Sequence, residues 1–63
     1  MDTFRVLIEG APVGPVFDFE QEDAHLWVER YHPGVEYRIL TTREDGRQFS
    51  AGYRARAIPD EFS

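Results

Sequence analysis

The sequence predicts an α+β fold: a two-layer β-β-α-β-β domain, with a four-stranded antiparallel sheet in spatial order 2-1-3-4 and one helix packed on one face. Three observations predict it. Apolar and polar residues alternate over residues 3–9, 35–43 and 47–57, the period of strands with one buried side. Only residues 19–31 carry apolar side chains at helical spacing. And 63 residues without cysteine make a single small domain, residues 1–63, that no disulfide can staple.

In the first strand Phe4, Val6 and Ile8 form the buried face, and Arg5, Leu7 and Glu9 the other. The stretch Gly10-Ala-Pro-Val-Gly-Pro15 reads as a break and a loop. A short second strand follows over residues 16–19, Phe17 and Phe19 inward, with Phe17 opposite Ile8 and Phe19 opposite Val6. Asp18 is positioned to cap the helix, and Gln21 three residues on to return the bond. Glu20, Glu22 and Asp23 lie in the first turn, where the helix dipole favours negative charge. Ala24, Trp27, Val28 and Tyr31 form one apolar stripe, with Trp27 expected at the centre of the core. His32-Pro33-Gly34 ends the helix, because the residue before a proline is pushed out of helical geometry.

The second hairpin is decided by parity. The Asp45-Gly46 pair invites a two-residue turn. That turn would place Tyr37 beside Arg54 and put the two apolar faces on opposite sides. A three-residue loop, Glu44-Asp45-Gly46, instead sets Tyr37 opposite Tyr53, Ile39 opposite Ala51, Val35 opposite Ala55 and Glu36 opposite Arg54. Gly46 then takes the left-handed position. Residues 59–63 are expected to be a loose tail. Laying the third strand beside the first gives the order 2-1-3-4. The expected core is Phe4, Val6, Ile8, Phe17, Phe19, Ala24, Trp27, Val28, Tyr31, Val35, Tyr37, Ile39, Phe49, Ala51 and Tyr53.

Composition narrows the function classes. The net charge of −5 opposes general nucleic-acid binding, so nucleic acid is not the favoured partner. No run approaches the about 20 apolar residues of a membrane span, and the first ten residues lack the basic and apolar regions of a signal peptide. A cytoplasmic protein with no membrane partner is the expectation. Charge is unevenly placed. Residues 1–34 carry seven carboxylates against two arginines, net −5; residues 35–57 carry five arginines against three carboxylates, net +2.

No catalytic, cofactor or metal residues are singled out, and an enzyme is not expected. His25 and His32 are about two helical turns apart, too far to share a metal. Glu22, His25 and Glu29 share a helix face, but carboxylate-bridged metal sites collect ligands from several helices. In the glycine-containing stretch before Val16, Pro12 and Pro15 remove the N–H groups a phosphate cradle needs.

The same parity that buries one sheet face leaves the other open. It carries Arg5, Leu7, Arg38, Leu40, Arg54 and Arg56, and these are the candidate residues for binding a partner protein. The helix's acidic exterior, Glu20, Glu22, Asp23 and Glu29, is a secondary candidate. The fourth strand is an edge, through which a homodimer could form. The expected function is a small non-catalytic protein-interaction module.

In its β-β-α-β-β order, small size and acidic charge the chain resembles small phage-encoded inhibitors of bacterial defence, anti-CRISPR proteins among them. The resemblance implies inhibition of a host complex, for instance by an acidic face imitating nucleic acid. It carries over no residues.

Overall fold

The computed structural model describes residues 1–56. The expected loose tail, 59–63, lies outside the described residues. The elements are β1 (Thr3–Ile8), β2 (Ala11–Phe17), α1 (Gln21–Tyr31), β3 (Glu36–Thr42) and β4 (Gln48–Arg54). The strands form one antiparallel sheet in the order β2-β1-β3-β4, with α1 packed on one face. Among the described residues no helix is long and apolar enough to cross a membrane.

The β3–β4 hairpin has the register that parity requires. Tyr37 pairs with Tyr53, Ile39 with Ala51 and Glu36 with Arg54. The Gly46 N–H donates to the Arg43 carbonyl at 2.9 Å, and the Arg43 N–H to the Arg47 carbonyl at 2.8 Å. Gly46 has φ +92°, the left-handed position of a three-residue loop.

The first hairpin departs from expectation. β2 begins at Ala11, so the stretch read as a loop is mostly strand. Glu9 and Gly10 have φ of +54° and +80° and form a two-residue turn with both central residues in positive φ. Ile8 pairs with Ala11 and Val6 with Val13; then the register shifts, and Phe17 pairs with Phe4 rather than Ile8. Proline did not prevent this because β2 is an edge strand. The pair beside a two-residue turn is the hydrogen-bonded one, so in the next pair, Leu7 and Pro12, the proline nitrogen faces away from β1. Gly14, at φ +75°, sits in the register shift.

The helix starts two residues later than the sequence suggested. Its N-cap is Glu20, no side chain caps it, and Asp18 plays no such role. Phe19 is outside both β2 and α1 and is 75% exposed. At the other end the His32 N–H still donates to the Val28 carbonyl, at 2.7 Å, and the chain turns away through Pro33-Gly34.

The core is smaller than expected. Phe4, Val6, Ala24, Val28, Tyr37, Ile39 and Ala55 are buried, with Ile8, Val13, Phe17 and Trp27 packed at its margin. Tyr31, Phe49, Ala51 and Tyr53 are exposed, and Val35 is half-buried. The reason is width. A helix is about 10 Å across, whereas four strands about 4.8 Å apart set their outer axes about 14 Å apart. One helix cannot cover them all. α1 lies mainly over β1 and β2 and, apart from the contacts of Gln21 and His25 with Tyr53, leaves the helix-side face of β4 open. Trp27 is displaced for the same reason. Ala24 and Val28 occupy the centre, and Trp27 lies toward β2, its ring 6.3 Å from that of Phe17 and directly over Gly14.

Candidate functional site

The outer sheet face is built from residues that strand alternation turns away from α1. Arg5 on β1 pairs with Leu40 on β3, and Leu7 with Arg38. The four make a checkerboard in which each leucine has an arginine across from it and another along its own strand. Leu7 and Leu40 are half-buried. On β4, Ser50 and Gly52 continue the same two rows.

The two central arginines are held differently. Arg38 lies over β4, donating to Ser50 Oγ from Nη2 at 3.1 Å and from Nε at 3.4 Å. Arg38 also occupies the space over Gly52: a Cβ there would stand 3.5 Å from Arg38 Nη1. Arg5 is half-buried, and its Nε is fully covered without a hydrogen-bond partner. Neither arginine makes an ion pair among the described residues.

Arg54 and Arg56 are at the margin. Arg54 is engaged by Glu36 and reaches the Gly34 carbonyl at 3.5 Å. Arg56 lies past the end of β4 and is exposed. The structure therefore brings Arg5, Leu7, Arg38 and Leu40 together, with Arg54 at one end and Arg56 beyond it. Next to this block an open cleft of about 780 Å³ lies where β1 and β3 part. Their pairing stops at Leu7 and Arg38, and the cleft's charged rim is Glu9, Glu36, Arg38 and Arg54.

The acidic helix face is less coherent. Glu20 and Glu22 are exposed and Asp23 is half-buried. Glu29 is half-buried, and its charge, after burial and ahead of Tyr53, raises the Tyr37 phenol above its ordinary value. Leu26, which the strand-and-helix pattern did not single out, is 55% exposed on the outward side of α1.

A polar cluster between α1 and the β3–β4 hairpin also went unread. His25 Nδ1 bonds the Tyr37 hydroxyl. Gln21 Nε2 is 3.3 Å from His25 Nε2 and donates to the Tyr53 hydroxyl at 3.2 Å. The His25 ring meets Tyr53 edge-on at 4.5 Å. Its traces in the sequence are the i, i+4 spacing of Gln21 and His25 and the Tyr37/Tyr53 pair. The cluster ties α1 to the side of the sheet it does not cover, and it commits His25 to structure. Among the described residues no group of three or more His, Asp or Glu side chains is placed to hold a metal ion.

Compared with known protein families, curated proteins and solved structures, the chain matches none.

Proposed function

We propose that this protein is a non-catalytic interaction module that binds an acidic protein surface through Arg5, Leu7, Arg38 and Leu40. The observation that supports this most is the state of Arg5 and Arg38. Two guanidinium groups flank two half-buried leucines, without carboxylate partners among the described residues. Arginine is suited to this role because its planar fork bonds carboxylates in pairs and loses little hydration. Leu7 and Leu40 supply apolar area at the centre, and Arg54 contributes at the rim.

Among the described residues the face carries no aromatic side chain on which a base could stack, which disfavours a single-stranded nucleic acid as the ligand. Duplex binding would show as a low-salt gel shift that weakens steeply with salt. The second partner in this reading is another copy of the chain at the β4 edge.

Capture with wild-type and Arg38→Glu protein tests the proposal. The variant keeps the wild-type circular dichroism spectrum and loses the captured protein. Capture that survives the charge reversal removes the sheet face from consideration.

A further inference from the structure

The two edges of the sheet are built differently. β2 is guarded against pairing with another chain: it carries Pro12 and Pro15, and its register is broken at Gly14. β4, Gln-Phe-Ser-Ala-Gly-Tyr-Arg, has no proline and no register shift, and its only charge is at its last residue. All its residues are exposed, and among the described residues it is the end strand of the sheet.

The hydrogen bonds of the hairpin show which groups point outward. Arg47 bonds Arg43 through its carbonyl, and Ala55 bonds Val35 through its N–H at 2.9 Å. In an antiparallel ladder such residues alternate with ones whose N–H and C=O face the other way. The backbone groups of Phe49, Ala51 and Tyr53 therefore turn toward β3. Those of Gln48, Ser50, Gly52 and Arg54 turn toward the open edge.

We infer that β4 pairs antiparallel with β4 of a second copy, about a two-fold axis at Ala51, to give one continuous sheet across two protomers. This inference rests on reading the protein as a binding module, but on a different surface from the arginine–leucine block. The register follows from the edge. With Ala51 opposite Ala51 of the other copy, Ser50 meets Gly52 and Gln48 meets Arg54, and every outward N–H and C=O on both strands finds a partner. Shifting the register by two residues leaves Arg54 or Gln48 of each copy outside the ladder.

The side chains agree with the same register. On the helix-side face, Phe49 comes opposite Tyr53 of the other copy, whose inner side rests on His25 and whose remaining surface is exposed, so the two aromatics of each protomer cover those of the other. No like charges face each other directly. The end of β4 that carries Arg54 and Arg56 approaches the Glu44–Asp45 turn of the other copy, where Asp45 already holds Arg47 at 3.4 Å. α1 does not obstruct the approach, since it packs mainly on β1 and β2. A second copy is the occupant that brings both the matching backbone register and the matching aromatics.

The test uses sedimentation and cross-linking on the full chain. The natural protein contains no cysteine, so a single cysteine is a clean probe. Opposed residues at a non-hydrogen-bonded position have Cα atoms about 4.5 Å apart, within the about 4.4–6.8 Å that a disulfide spans. Ala51→Cys is expected to form a disulfide-linked dimer on mild oxidation. Val16→Cys, exposed on the other edge, is expected to form no disulfide-linked dimer while associating as the wild-type chain does. Ala51→Glu places two carboxylates on the axis and is expected to weaken association at least about tenfold with the fold intact by circular dichroism. A wild-type chain that stays monomeric at millimolar concentration overturns the inference, and so does a dimer that Ala51→Glu leaves unchanged. Arg38→Glu lies off the edge, so loss of partner capture with dimerisation retained separates the two surfaces.

Discussion

Gly14→Ala tests the packing of the first hairpin more sharply than any core truncation. Gly14 has φ +75°, and a Cβ built there lies 2.5 Å from Trp27 Cη2 and 2.6 Å from Cζ2. Carbon atoms rest at about 3.5–4.0 Å, so the indole or the strand must move by about 1 Å. Left-handed backbone costs an L-residue about 1–2 kcal/mol. Overpacking a filled site costs about 1–3 kcal/mol. The two together come to about 2–5 kcal/mol. A domain of this size has roughly 3–9 kcal/mol in all, so the melting temperature should fall by about 10–40 °C. Gly10→Ala is the control. Gly10 has φ +80° but nothing within 4 Å of its Cβ position, so it incurs the backbone term alone. Trp27 is the sole tryptophan, and its fluorescence reports the site directly during thermal or urea unfolding. If Gly14→Ala melts within a few degrees of Gly10→Ala, Trp27 does not rest on Gly14 and the account of the β2 register is wrong.

Other outcomes follow from the same structure. Phe4→Ala should cost about 3–5 kcal/mol by urea titration. Phe49→Ala, at a side chain 53% exposed, should cost the monomer no more than about 1 kcal/mol; equal losses would mean that α1 covers the whole sheet. Burial first, then the charge of Glu29 and Tyr53, raises the Tyr37 phenol above 10.0 in the folded chain. Its stabilisation is therefore complete below about pH 10 and is lost as pH rises through the folded value. Tyr37→Phe should flatten that alkaline decline in urea titrations, and a decline unchanged in the variant would contradict the assignment. Arg38→Glu should shift the urea midpoint by no more than about 0.5 kcal/mol equivalent, because the side chain is exposed and forms no ion pair among the described residues.

The parts of the fold that were legible are those set by strand parity. The three-residue loop at Glu44-Asp45-Gly46 follows from requiring Tyr37, Ile39, Ala51 and Tyr53 on one side, and once it is in place the rows Arg5/Leu40/Ser50 and Leu7/Arg38/Gly52 follow too. The first hairpin was not legible because its turn uses Glu9 in positive φ, which a non-glycine residue rarely adopts. Pro12 and Pro15 also argue against a strand unless that strand is known to be an edge. Once β2 begins at Ala11, Phe19 no longer has a partner on β1, and Trp27 moves out over Gly14.

The candidate site divides in the same way. Alternation placed Arg5, Leu7, Arg38 and Leu40 on one face, but it could not show that Arg54 would be taken by Glu36 or that Arg38 would lie over Gly52. Those outcomes depend on side-chain rotamers across strands. Glu29 reads as part of an acidic helix exterior on a helical wheel, yet it is half-buried and its charge acts on Tyr37. The exposure of Phe49 and Tyr53 needed a comparison of helix width with sheet width, which residue spacing alone does not contain.

The central claim is that binding occurs on the sheet face opposite α1. The most direct measurement is an amide chemical-shift map of isotope-labelled protein titrated with the partner that wild-type chain captures and Arg38→Glu does not. The account predicts that the largest shifts fall on Arg5, Leu7, Arg38 and Leu40, with Arg54 at their edge and α1 undisturbed. Shifts concentrated on Glu22, Leu26 and Arg30, with the sheet unmoved, would contradict it.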